Sequence, residues 1–293
     1  MISRRELLKR GALLGAAFGV AGCSAPGYYG EDESALARAR AAGIITVGIA
    51  GEAPYGYTDP TGRATGEAVE VARVVLSKLG VRRIQAVTVD FGELIAGLTL
   101  ARQFDLVAAG MSITAERCEA LAFSAPDFTA PTAFLVPSGN PKGLTDFEHL
   151  RGRNIRIAVL GGAVEARYAR AGGVPDNLIH RFADQQAMLD AVLGGRVDCA
   201  ALTNISLARI VTINPGVPVE VTPGFFPTVN GTPIVPAGGF AFRRGDDDLL
   251  DAMNTELTAL HRSGEWLRIA EPFGFGKDNV PAPDLDTETL CDP

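Results

Sequence analysis

Histidine is scarce in this chain. His149, His180 and His261 are the three present, and none has a partner at the spacing of a metal or catalytic motif. No Gly-x-Ser-x-Gly elbow, phosphate-binding loop or His-Glu-x-x-His run occurs. No Gly-x-Gly-x-x-Gly follows a strand pattern and opens a helix. The expectation is therefore no catalytic residue, no metal and no cofactor. Cysteine is sparse too, at four residues, with no zinc or haem spacing. Positive charge is in deficit, with a net charge of −7 over 293 residues. Residues 1–22 hold Arg4, Arg5, Lys9 and Arg10 against Glu6, which leaves the remainder at net −10. So acidic a body lacks the basic footprint of a nucleic-acid binder. A long apolar run is also missing near the N-terminus: Gly11 to Gly22 has 12 residues, and a lone spanning helix needs about 20.

That short run suits the core of a signal peptide instead. Arg4-Arg5 precedes it and resembles a twin-arginine export signal. Val20-Ala21-Gly22-Cys23 then resembles a lipobox, in which Cys23 becomes the lipidated N-terminus. Residues 1–22 are read as signal and 23–39 as a tether, small and polar at its start. Export permits a disulfide. Cys199 lies in an apolar run and reads as a buried small hydrophobe, which leaves Cys118 and Cys291 as the pair to expect.

Hydrophobic residues make up 47% of the chain, enough for a sizeable core. Apolar runs alternate with helical patterns. Ile44 to Ile49, Arg83 to Val89 and Asp105 to Ala108 read as strands, and Val69 to Leu79 and Phe91 to Ala101 as helices. After Asn140-Pro141-Lys142-Gly143 the rhythm restarts. Ile155 to Leu160 and Val197 to Leu202 read as strands, Ala163 to Ala171 and Gln185 to Leu193 as helices. Gly238 to Arg243 is a further strand, and Asp247 to Ser263 a long helix. This βαβ order predicts an α/β fold of mostly parallel sheets covered by helices. Arg102-Gln103-Phe104-Asp105 and Arg196-Val197-Asp198 both lead from a helix into an apolar strand, so the two halves echo each other. The last third is too short for a third domain. It returns the chain to the first lobe, giving two crossings, near Pro137 and Pro236. The expected division is 40–137 with 237–280 for lobe 1, 138–236 for lobe 2, and 281–293 as a C-terminal tail.

Ligands in open α/β sheets bind beyond the carboxyl ends of strands, and the candidate residues stand there. Glu52 and Tyr55 follow the first strand. Together they suit a cation, the ring by its negative face and the acid by its charge; a turn with a packed tyrosine fits as well. Phe91 follows the next strand and suits either an edge contact or a hydrophobic staple. Thr114 suits the N-cap of a short helix carrying Arg117, and Arg117 there can grip a carboxylate with two parallel bonds. Gly161-Gly162-Ala163-Val164-Glu165 follows the strand ending at Leu160. Its free amides can receive an anion, while Glu165 is either a ligand contact or a first-turn acid.

Across residues 40–290 the chain resembles the amino-acid-type solute-binding proteins of ABC importers, and most specifically their ectoine- and hydroxyectoine-binding members. The runs that carry the likeness include Glu52-Ala53-Pro54-Tyr55-Gly56-Tyr57, Thr65-Gly66-Glu67-Ala68, Ala108-Ala109-Gly110-Met111 and Thr114-Ala115-Glu116-Arg117-Cys118. Gly152-Arg153-Asn154-Ile155, Val159-Leu160-Gly161-Gly162, Ala201-Leu202-Thr203 and Gly274-Phe275-Gly276 add to it. The resemblance implies a two-lobed type II periplasmic-binding fold and a monomer outside the cytoplasmic membrane that serves ABC permease subunits. It also implies a small zwitterionic solute. Glu52 would meet the ring nitrogens, Tyr55 and Phe91 would stack on the cationic ring, Arg117 would pair with the carboxylate, and Glu165 would close the site. Thr203 stands where amino-acid binders usually place an Asp for the α-ammonium. Two positions depart from the ectoine pattern: Ser112 replaces a third aromatic, and Val164 replaces a hydroxyl residue. The rival expectations are a polar amino-acid binder and a periplasmic dehydratase-like enzyme with Glu52 or Glu165 as acid or base.

Overall fold

The computed structural model describes residues 34–292. The expected signal peptide, Cys23 and the tether as far as residue 33 lie outside the described residues. The end of the expected tether is helical instead. Ser34 caps helix α1 (Ala35–Ala42) by accepting from Ala37 N at 3.2 Å. Ala35, Leu36 and Ala39 are buried, and a run of alanine, leucine and arginine favours helix, so this end of the expected tether packs onto the fold.

The chain then builds β1 (Ile44–Ile49), α2 (Glu67–Lys78), β2 (Arg83–Thr88), α3 (Leu94–Thr99) and β3 (Leu106–Ser112). β1 lies parallel between β2 and β3. A short helix α4 (Ala115–Cys118) and two short strands follow, β4 (Leu121–Phe123) and β5 (Phe128–Thr129). The second sheet comprises β6 (Thr132–Pro137), β7 (Ile157–Leu160), β8 (Ile179–Phe182), β9 (Cys199–Thr203) and β10 (Val219–Val221), in the order β8-β7-β9-β6-β10. Its helices are α5 (Glu165–Ala171), α6 (Gln185–Leu193) and α7 (Asn204–Ile213). β11 (Ala237–Arg243) returns to the first sheet, antiparallel between β3 and β4, and gives the order β2-β1-β3-β11-β4, with β5 also on β11. The fold is two-lobed, type II and crossed twice.

The first crossing differs from the expected position after residue 137. It falls at Pro131, because Thr132–Pro137 pairs antiparallel with β9 and β10 in the second sheet. Ala133 and Leu135 enter one core cluster of this strand, Phe134 and Val136 another. A strand buried on both faces needs neighbours on both edges, and the second sheet supplies them. The crossings touch: Ala130 N donates to Pro236 O at 3.0 Å, and Thr132 and Phe225 exchange backbone bonds.

The last third, α8 (Asp247–Ser263), α9 (Glu265–Ala270) and α10 (Thr287–Cys291), covers the first lobe. Trp266 is fully buried, stacks on His261 at 5.0 Å, and donates from Nε1 to Asp127 Oδ1 at 2.7 Å. Glu67 is buried beside Asp127. Desolvation first, then the neighbouring charge, raises the Glu67 carboxyl well above its ordinary range, and desolvation raises Asp127 to about 7. This acid pair thus holds a proton at neutral pH. Among the described residues no helix is long and apolar enough to cross a membrane.

The tail expected at 281–293 is tied down. Cys118 and Cys291 form a disulfide with Cα atoms 5.7 Å apart, and Thr287 Oγ1 donates to Ser124 O at 2.6 Å. Cys199 is buried and free. Replacing both bridge cysteines by serine should lower unfolding free energy by about 2–5 kcal/mol. Urea unfolding would read this as a lower midpoint; a midpoint equal to the parent's would show that the bond contributes nothing.

Candidate functional site

Both sheets aim their strand ends at one cleft. Glu52 and Tyr55 follow β1, Phe91 opens the turn after β2, Ser112 ends β3, and Arg117 sits on α4. From the other side come Val164 and Glu165 after β7, and Thr203 at the end of β9. All eight line one cavity, whose empty space of about 290 Å³ includes space open to solvent. Gly162, expected among them, does not. Its carbonyl faces Arg117 instead, and its Cα packs against the other lobe.

Glu52 is almost wholly buried, at 7% exposure. Its Oε1 accepts from Ser206 Oγ at 2.9 Å and from Gln185 Nε2 at 3.4 Å. Gln185 also donates to Ala53 O at 2.9 Å. Ser206 and Gln185 both belong to the second lobe, and neither stands out in the sequence. The available signal for Ser206 is the cap of α7, where Thr203 Oγ1 accepts from Ser206 N at 3.3 Å. Desolvation pushes the Glu52 carboxyl up to about 8, helped by the charge of Glu165 and opposed by the Ser206 bond.

The Tyr55 ring rests on Gly110. A Cβ there would stand 2.4 Å from ring carbons, and Gly110 has φ +63, so glycine serves both the backbone and the ring. Phe128 and Phe275 back the ring at 4.9 and 5.7 Å. Its hydroxyl meets Thr203 Oγ1 at 2.9 Å across the cleft. Tyr55 is thus a packed tyrosine whose ring also lines the cavity.

Arg117 is the central cation. Thr114 caps its helix, accepting from Arg117 N at 3.3 Å. Nη1 donates to Ser112 O at 2.8 Å, and Nη2 to Gly162 O of the other lobe at 2.9 Å. Its Cζ lies 5.5 Å above the Phe91 ring, so that ring supports the arginine. Burial depresses the Arg117 pKa, and Glu165 opposes the depression. Glu165 is itself buried, and one of its oxygens meets no donor. Desolvation raises its carboxyl to about 7 against its own backbone N–H and Arg117. The backbone N–H of Glu165, at the start of α5, thus faces that residue's own carboxylate.

Gly92 and Gly162 set the approach of the lobes. A Cβ on Gly162, already at φ +80, would lie 2.4 Å from Gly92 Cα. The cleft can therefore close until backbone meets backbone. Once closed, it offers one guanidinium, two buried carboxyls and two rings, an arrangement suited to a small solute carrying both charges. Among the described residues no cluster could hold a metal ion.

The sequence model of the bacterial extracellular solute-binding proteins, family 3, matches residues 45–277. The probable amino-acid ABC transporter periplasmic-binding protein y4tE of Sinorhizobium fredii is 35% identical over 259 residues, covering 87% of this chain and 85% of that one. The crystal structure of EhuB in complex with hydroxyectoine has a TM-score of 0.79 and 33% identity, over 88% of this chain and 97% of that one. An ancestral arginine-binding protein bound to arginine has a TM-score of 0.69 and 27% identity, over 80% and 99%. The match covers well over half of the chain, both lobes and the cleft between them, and the chain belongs to the family 3 bacterial extracellular solute-binding proteins, the exported binding components of amino-acid-type ABC importers.

Proposed function

We propose that the cleft captures a small zwitterion with a delocalised cation, ectoine or hydroxyectoine, and that lobe closure presents it to an ABC permease. The observation that carries this reading is Arg117, buried opposite two buried carboxyls, Glu52 and Glu165. The solute carboxylate would meet the arginine, and its cation would lie against Tyr55, near Glu52. Thr203 is neutral and bonded to Tyr55 and Ser206, so that position brings no charge for a primary ammonium. The likeness to a hydroxyectoine-bound structure supports the same reading. A second reading, a cationic or polar amino acid, is favoured by the excess of carboxyls over arginine and by the arginine-bound neighbour. Isothermal titration with ectoine, hydroxyectoine, arginine, glutamine and cystine separates the two.

Under either reading, Arg117→Ala leaves the solute carboxylate buried and unpaired. Losing one side of such a pair typically costs about 2–5 kcal/mol, roughly 30-fold or more in affinity. Tyr55→Phe removes the Thr203 bond and keeps the ring, whereas Tyr55→Leu removes the ring's quadrupole. Titration should show Tyr55→Leu weaker than Tyr55→Phe by about 1–2 kcal/mol; equal affinities would sink the cationic-ring model.

Glu52, with its pKa near 8, holds a proton at neutral pH. A cation beside it favours the charged form, so binding should release a proton. Affinity then rises with pH up to about 8 and levels off above it. Titration at pH 7 in buffers of different ionisation heat reads the release directly, and Glu52→Gln should reduce it. Heats that are independent of the buffer would rule out this role for Glu52.

The lipobox completes the proposal: Cys23 carries lipid and tethers a monomer to the membrane surface. Cys23→Ala should move the protein from the membrane to the soluble fraction; unchanged association after cell fractionation would refute the anchor.

A further inference from the structure

Arg117 borders a second cavity as well. This groove holds about 940 Å³, including space open to solvent, and shares Arg117, Ala163 and Val164 with the solute cleft. Both lobes build it. Thr114, Glu116 and Arg117 contribute from the first; Arg167 and Arg170 of α5 and Arg181 of β8 contribute from the second. Four guanidiniums thus face one carboxylate, on a chain whose net charge is −7.

Two of these arginines, Arg167 and Arg181, make no ion pair among the described residues. Arg170 pairs with Asp176 at 2.6 Å. The side chain of Arg181, by contrast, makes no hydrogen bond or ion pair among the described residues. Arg167 lays its guanidinium over the Tyr168 ring at 5.7 Å, yet its Nε is buried without an acceptor. Like charges gathered in one groove repel. Guanidinium forks match the oxygen spacing of carboxylate and phosphate, and a walled groove of one sign concentrates the opposite charge.

We propose that this groove is an oxyanion site, held by Arg167 and Arg181 of the second lobe and faced by Arg117 of the first. An oxyanion seated there touches charges of both lobes and so favours the closed arrangement. For a free oxyanion, linkage makes the help mutual: the anion tightens solute binding, and the solute tightens the anion by the same factor. Two sources share this chemistry, a free inorganic oxyanion and the acidic tail of a solute lying in the pocket. The assignment rests on the groove alone and stands whichever solute the pocket takes.

Isothermal titration of the full protein with inorganic phosphate, in chloride buffer of low ionic strength, tests it. Saturable binding is expected, competed by sulfate and weakened at least tenfold in Arg167→Gln/Arg181→Ala. Thermal unfolding in phosphate-free buffer checks that this variant is folded. Phosphate that still binds with the solute pocket filled marks the free anion. Phosphate displaced one for one by the solute marks the acidic tail. No saturable phosphate binding by the parent, or equal binding by a folded variant, overturns the site.

Discussion

The cost of burying charge governs this molecule. Arg117, Glu52 and Glu165 are all removed from water at one cleft, and an isolated buried charge is expensive unless it is paired or neutralised. The chain answers each case differently. Arg117 keeps its charge because two carbonyls and an aromatic face receive it. Glu52 and Glu165 meet the cost by holding protons near neutrality. Each partner of Arg117 and Glu52 that spans the cleft also ties one lobe to the other. Charge compensation and contact between the lobes thus use the same groups.

Closure depends on small residues as much as on charges. The Gly92–Gly162 contact allows the Arg117 bond to reach across at 2.9 Å. Gly110 lets the Tyr55 ring lie low enough for its hydroxyl to meet Thr203. In both places a methyl group would occupy the space that brings two polar groups into bonding distance.

Local rules made much of the fold legible. α6 and α8 run as their patterns read because Asp184 caps the first and Gly264 ends the second in the left-handed region. The Thr114 cap, the strand-end placement of Glu52, Tyr55, Phe91 and Arg117, and the second crossing beside Pro236 follow from equally local signals. The misplaced first crossing has a different origin. Thr132–Pro137 is uniformly apolar, and such a run declares burial without saying in which sheet. α7 escaped because Asn204–Ile213 has mixed apolar and polar residues and a start signal, Thr203, that reads as the end of a strand. Ser206 and Gln185 could not be assigned to Glu52 at all. They lie 154 and 133 residues from it in sequence, and only the closed fold brings them there. Gly162 stands at the strand end that its sequence position implies, and its backbone meets Arg117 and Gly92 of the other lobe.

The strand order carries a consequence for how the chain assembles itself. Every strand of the second sheet lies between residues 132 and 221, a single uninterrupted stretch. The first sheet is discontinuous, because β11, which completes it, occupies an inner position between β3 and β4. Until residues 237–243 are available, β3 and β4 have no strand between them. The inserted lobe therefore has its full complement of partners before the lobe that flanks it, although it comes later in the sequence. Loop closure for β11 must span the whole of that lobe, and a collapsed insert shortens the distance the ends have to search. On this topology the first sheet is completed only by a strand that lies beyond the whole of the second lobe.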